Sequence, residues 1–206
     1  MIRRDRRRCA GALRWPVALV LAGLVAGHLL AEESASLHPA GDAPAIEALE
    51  RQLELGRHAR LARIKSAPDS RLADFTTDGC SGGLSAGWES LAEWLAEFRA
   101  VHGDRPPWEA CCIAHDRLYH AGGPPDATPE DSFEARRSAD LALRDCVIET
   151  GARRAPALST QYHLTEGQIA GIYAAVADLM YRSVRLGGIP CSELPWRWGY
   201  GWPACD

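Results

Sequence analysis

Nine consecutive residues, Cys111-Cys112-Ile113-Ala114-His115-Asp116-Arg117-Leu118-Tyr119, bring together a candidate general base, a candidate metal ligand and two cysteines. A histidine with one ring nitrogen fixed by a hydrogen bond is a proton acceptor near neutral pH. A carboxylate beside free backbone carbonyls suits a hard cation such as calcium. Residues four apart share a helical face. Cys111, His115 and Tyr119 therefore form one stripe, and Cys112 and Asp116 a second, about 100° further round. Each stripe sets a cysteine one turn ahead of a residue capable of chemistry. A disulfide from that cysteine would hold another segment beside it.

Two such clamps have definite consequences. If Cys112 bonds Cys80, the loop Asp78-Gly79-Cys80-Ser81-Gly82-Gly83 is held close to Asp116. If Cys111 bonds Cys146, a second helix packs antiparallel on the first. His115 lies four residues after Cys111, and Asp140 six before Cys146. At 1.5 Å per residue the two fall within about half a turn of each other. Asp140 then accepts a hydrogen bond from one nitrogen of His115, fixes its tautomer and leaves the other nitrogen as the base.

Cys-Cys-x-x-His-Asp-x-x-Tyr resembles the active-site helix of secreted phospholipases A2. Asp140 followed six residues later by Cys146 resembles that family's second catalytic helix, and Asp78-Gly79-Cys80-Ser81 resembles the calcium loop of its bacterial and fungal members. The three motifs occur in the family's order over roughly residues 75–150. Many animal members have a cysteine just before the tyrosine, paired with one just before the catalytic aspartate. Those positions are Leu118 and Ala139, so both partners are missing together. Residues 121–130 are too few for the β-wing of many animal enzymes, and the stretch from Cys80 to Cys111 is longer than usual.

The resemblance implies calcium-dependent hydrolysis of the sn-2 ester of glycerophospholipids in a membrane or micelle. It implies His115 as the base, Asp140 as its orienting group and Tyr119 as a hydrogen-bond partner of Asp140. Asp116 would bind calcium with Asp78, Gly79, Ser81 and Gly83 of the loop. No serine nucleophile is needed. Two other readings stand beside this one. A non-catalytic module on the same scaffold would bind lipid or a protein partner, but it need not keep His115, Asp116, Asp140 and Tyr119 together. A zinc site from Cys111, Cys112 and His115 lacks the usual Cys-x-x-Cys spacing.

The elements that must position these groups read as helices. The expected fold is all-α: a disulfide-linked antiparallel helix pair with a calcium-binding loop, plus additional helices. Leu91, Trp94, Leu95, Phe98 and Val101 recur at helical spacing. Helices are expected over roughly 108–120, over 129–150 with Gly151 past the end, and over 165–186. Residues 32–66 read as a linker to about 45 and then a solvated accessory helix, interrupted at Gly56 and packing weakly. Residues 67–206 read as the catalytic domain. Its tail carries Trp196, Trp198 and Trp202 between Cys191 and Cys205, which are expected to pair and to close the aromatics over the core.

The chain opens with Met1-Ile2-Arg3-Arg4-Asp5-Arg6-Arg7-Arg8, followed by an uncharged segment from Trp15 to Ala31. This reads as a signal peptide or short N-terminal anchor over 1–31, which places the rest outside the cytoplasm, secreted or periplasmic. That compartment oxidises thiols, which suits six paired cysteines beyond Cys9. The whole chain has 23 basic and 27 acidic residues; without residues 1–31 the balance is 17 to 26, a net −9. Such a surface argues against nucleic acid and strongly anionic membranes, and is compatible with calcium and neutral lipids.

Overall fold

The computed structural model describes residues 43–80 and 84–205. The Trp15–Ala31 segment and the loop residues Ser81, Gly82 and Gly83 lie outside the described residues. The chain divides into two units, Met1–Ala48 and Leu49–Asp206, and the second carries the His115–Asp140 pair and all three disulfides. Among the described residues there are six helices and no strand: α1 (Ala43–Lys65), α2 (Leu84–Trp94), α3 (Ala96–His102), α4 (Glu109–Ala121), α5 (Pro129–Tyr162) and α6 (Glu166–Gly187). None of them is long and apolar enough to cross a membrane.

Local sequence accounts for several helix ends. Thr128 and Asp131 form a reciprocal capping box at the start of α5, with Pro129 in the first turn. Thr165 and Gln168 do the same for α6. Gly122 ends α4 in the left-handed conformation, φ 64°, with its N–H donating to Leu118 O.

Three expectations about the helices are corrected. First, α1 begins at Ala43, inside the segment read as linker, and runs through Gly56 without a break. It is no weakly packed, solvated helix: Glu54, His58 and Leu61, at helical spacing, are all buried. One glycine costs a helix only about 1 kcal/mol, which that burial outweighs. Second, the 91–101 periodicity does not describe one amphipathic helix. The chain turns at Leu95, which is extended at φ −121°, ψ 92°. On a straight helix Trp88 and Phe98 would stand about 15 Å apart along the axis. The turn brings their rings to 4.9 Å and leaves Trp94 83% exposed. Third, α5 does not stop before Gly151 but continues to Tyr162, with Pro156 inside it. Gly151 is a crossing point, where a Cβ would lie 2.4 Å from Cβ of Tyr173 on α6.

Cysteines pair Cys80–Cys112, Cys111–Cys146 and Cys191–Cys205. The second bond joins α4 to α5. Contacts between those helices then run Cys111 to Cys146, His115 to Asp140 and Tyr119 to Arg136, so the pair is antiparallel. The main core lies among α4, α5 and α6 around Val147, Leu158, Tyr173 and Ala177.

A smaller core of Leu61, Tyr119, Ala139 and Trp198 joins α1 to the C-terminal tail. The tail also completes α4. The last carbonyls of a helix find no partner inside it. Those of Tyr119 and His120 accept from the N–H groups of Gly199 (2.6 Å) and Gly201 (3.2 Å), and that of Ala121 accepts from Trp202 Nε1 (2.9 Å). Lys65 Nζ donates to the next carbonyls, Gly122 (3.0 Å), Gly123 (3.1 Å) and Pro124 (2.7 Å). Trp198 is 1% exposed, so the tryptophan-rich tail covers the core.

Candidate active site

Helix α4 presents its two stripes to different surroundings. On the first stripe, His115 Nε2 lies 2.9 Å from Asp140 Oδ1 and Tyr119 OH donates to the same oxygen at 2.6 Å. Asp140 is fully buried, and His115 and Tyr119 nearly so. A carboxylate only accepts, so Nε2 carries a ring proton, and in the neutral ring Nδ1 then keeps its lone pair. Nδ1 faces Asp116, whose Oδ1 is 4.0 Å away. The His115 and Tyr119 rings lie 4.1 Å apart, which fixes the plane of the imidazole.

Electrostatics favour a basic imidazole. Burial is the largest single influence on His115 and acts to lower its pKa. The carboxylates of Asp116 and Asp140 outweigh it, so the pKa stands above the ordinary histidine value. Burial, reinforced by the Asp140 charge, pushes the Tyr119 hydroxyl well up, so it stays a donor.

The second stripe meets the loop. Thr77 Oγ1 donates to Asp116 Oδ2 at 2.5 Å and accepts from Gly79 N–H at 3.0 Å. The Cys80–Cys112 bond holds this segment against α4. Tyr200 from the tail donates to Thr76 O at 2.6 Å. Its hydroxyl is pushed up to about 12, by burial first and then by the charges of Asp116 and Asp78. Both carboxylates thus act on one spot. A cleft of about 360 Å³ opens beside Asp78 and Gly79, with Ser85, Glu89, Arg105, Glu109 and Ile113 around it. Neither His115 nor Asp116 is in its lining.

These donors fit a hard cation in type: carboxylates at Asp116 and Asp78, the Thr77 hydroxyl and loop carbonyls, all oxygen. Gly79 has φ +78°, and a Cβ there would come within 2.5 Å of Glu109 Oε1, so the loop's close approach requires glycine. Ser81 and Gly83, expected to contribute carbonyls, lie outside the described residues. Among the described residues no group of three or more His, Cys, Asp or Glu side chains is gathered to hold a metal. Cys111 and Cys112 are both in disulfides, so neither offers a thiolate beside His115 for zinc.

Several residues around the dyad escape a reading of the sequence. Arg185 on α6 donates from Nη1 to Asp140 Oδ2 (3.0 Å) and from Nη2 to Glu54 Oε2 (2.9 Å). Arg136, fully buried on α5, bonds Glu54 Oε1 through Nη1 and donates from Nε to Tyr119 OH at 3.2 Å. His58 sits 3.2 Å from Glu54 Oε1 and 2.8 Å from Ser132 Oγ. Ser132, His58 and Glu54 are in hydrogen-bond sequence like a nucleophile triad. Ser132 and His58 are buried, Glu54 is committed to two arginines, and Trp198 Nε1 donates to Ser132 Oγ at 3.0 Å. That chain is structural. The i, i+4 spacing of Glu54 and His58 is the only sequence signal for it.

No family model, curated protein or solved structure matches this chain.

Proposed function

We propose that the chain is a member of the secreted phospholipase A2 superfamily, a calcium-dependent lipase that hydrolyses the sn-2 ester of glycerophospholipids outside the cytoplasm. The observation that carries this reading is the His115–Asp140 hydrogen bond, with Nδ1 directed toward Asp116.

His115 Nδ1 takes a proton from water as the water oxygen attacks the sn-2 carbonyl carbon. Asp140 and Tyr119 keep the ring in place while it carries the positive charge. The bond between the sn-2 carbonyl carbon and the glyceryl oxygen then breaks, and the departing glyceryl oxygen receives the proton from Nδ1. The products are a fatty acid and a lysophospholipid. By the resemblance, Asp116, Asp78, Gly79, Ser81 and Gly83 are the residues that would hold the ion. Calcium bound there would supply positive charge for the lipid phosphate and for the oxygen that gains charge during attack.

The test is fatty-acid release from mixed phospholipid vesicles by the oxidised protein, with calcium or with chelator. Release in calcium alone is expected, with loss of about 10²-fold or more in His115→Gln and abolition in Asp116→Ala. No release at any calcium concentration would overturn the enzyme reading in favour of a non-catalytic module that binds lipid or a protein partner.

A further inference from the structure

We propose that Arg185, tethered by Glu54, is a positioning residue that holds Asp140 as the fixed acceptor of His115. Through Glu54, helix α1 then takes part in setting the catalytic tautomer. The inference rests on reading His115 as the general base.

Asp140 has two oxygens and three donors. Oδ1 takes His115 and Tyr119; Oδ2 takes Arg185. The carboxylate cannot turn about its last bond without breaking all three. Its side chain is 0% exposed, so water does not replace a lost partner. A carboxylate this deeply buried needs a paired cation, and removing that cation leaves an uncompensated charge.

Arg185 is itself held at a second point. Its planar fork gives Nη1 to Asp140 on α5 and Nη2 to Glu54 on α1. Glu54 is gripped in turn by Arg136, whose Nη2 donates to Val184 O and Arg185 O at 2.8 Å each. Two carboxylates and two guanidiniums close a ring of balanced charge around the dyad. With Arg185 gone, Oδ2 has no partner, the carboxylate can rotate, and His115 loses its fixed acceptor. Lysine can supply the charge to Asp140 but, as a point donor, does not reproduce the two-carboxylate fork.

The experiment has two arms on the full oxidised chain. Nitrogen-edited NMR of the imidazole rings in chelator, at a pH high enough to keep the ring neutral, reads the His115 tautomer. Fatty-acid release from phosphatidylcholine vesicles in calcium reads kcat and KM. Wild type is expected to show one Nε2–H tautomer. Arg185→Gln is expected to show mixed tautomers and a kcat about 10–100-fold lower, with KM and the half-activating calcium concentration unchanged. Arg185→Lys, which keeps the charge on Asp140 but not the tether to Glu54, is expected to recover the single tautomer and kcat in part. A single tautomer retained in Arg185→Gln, a loss that lysine does not recover, or a loss that appears in KM would each overturn the inference. Should Arg185→Gln fail to fold, Glu54→Gln is read the same way, and wild-type behaviour in both arms overturns it. Wild-type protein inactive on vesicles would sink the lipase reading alone, and the tautomer comparison would still decide the role of Arg185.

Discussion

Tyr119→Phe isolates one buried oxygen atom. That hydroxyl donates to Asp140 Oδ1 at 2.6 Å and accepts from Arg136 Nε at 3.2 Å. The ring itself is held by His115 at 4.1 Å and by Trp198 at 5.1 Å, so phenylalanine keeps the packing. Water does not fill the gap, because the site is closed: a Cβ on Gly188 would already come within 2.8 Å of the hydroxyl. Hydrogen bonds to charged groups contribute about 1.5–3 kcal/mol each, and the two share one oxygen and are not additive. The expected cost is therefore about 2–3 kcal/mol, or a fall of roughly 5–10 °C in Tm for a domain of this size. Tyr200→Phe is the control. It removes one bond, to the neutral carbonyl of Thr76, at the partly exposed end of the tail, and is expected to cost about 1 kcal/mol. Urea unfolding with disulfides intact, read as a shift in midpoint at constant slope, measures both. If Tyr119→Phe costs no more than Tyr200→Phe, the claim that this hydroxyl braces a buried charged cluster is wrong.

Three more outcomes are expected. Replacing Cys80 and Cys112 by serine opens a loop with a sequence separation of 32; it should cost about 4 kcal/mol and raise the calcium needed for half-maximal release. The Cys191/Cys205 pair, separation 14, should cost about 3 kcal/mol with no calcium effect, and equal calcium effects would contradict the loop's role. The pKa of His102 is lowered to about 4, by burial first and then by the Arg154 charge. The unfolded chain therefore binds more protons between about 6.5 and 4, and this contribution to stability, full above 6.5, is lost as pH falls through that window. Discounted for solvent screening it amounts to about 1–2 kcal/mol, and His102→Gln should flatten the acid limb of a stability-against-pH curve. A chain beginning at residue 67 leaves Arg136 and Arg185 without Glu54, a loss of roughly 3–5 kcal/mol for a broken buried pair, and it should show no cooperative thermal transition.

The dyad was legible from sequence because helical period and antiparallel register are arithmetic. Counting from Cys111 and back from Cys146 is enough to set His115 against Asp140, provided those two cysteines bond. The surrounding ring was not legible. Glu54, Arg136 and Arg185 sit on helices with many charges at the same spacing, and an inward guanidinium has no compositional mark that an outward one lacks. Arg182, three residues from Arg185 on the same helix, is exposed. The helix ends show a similar limit. Gly151 looks like a stop until Tyr173 is seen resting on it, and the periodicity through Leu95 looks continuous until Phe98 folds back on Trp88. In both cases a tertiary contact overrides a local signal.

The adjacency of His115 and Asp116 sets a physical problem for the proposed reaction. A general base positioned by a carboxylate works best dry and rigid, since water would compete for its hydrogen bond and loosen its orientation. A calcium ligand needs the opposite, an opening through which a hydrated ion and a lipid phosphate can pass. Neighbouring residues on a helix point about 100° apart, and the two disulfides use that angle. Cys111 brings α5, with Asp140 fully buried on it, to the first face; Cys112 brings the exposed Thr77–Asp78 edge of the loop to the second. The tail closes the end of α4 and meets the loop segment at two points, where Ala73 N–H donates to Gly201 O at 2.8 Å and Tyr200 OH donates to Thr76 O at 2.6 Å. A reaction that needs a fixed proton acceptor within reach of an exchangeable ion is served by this division.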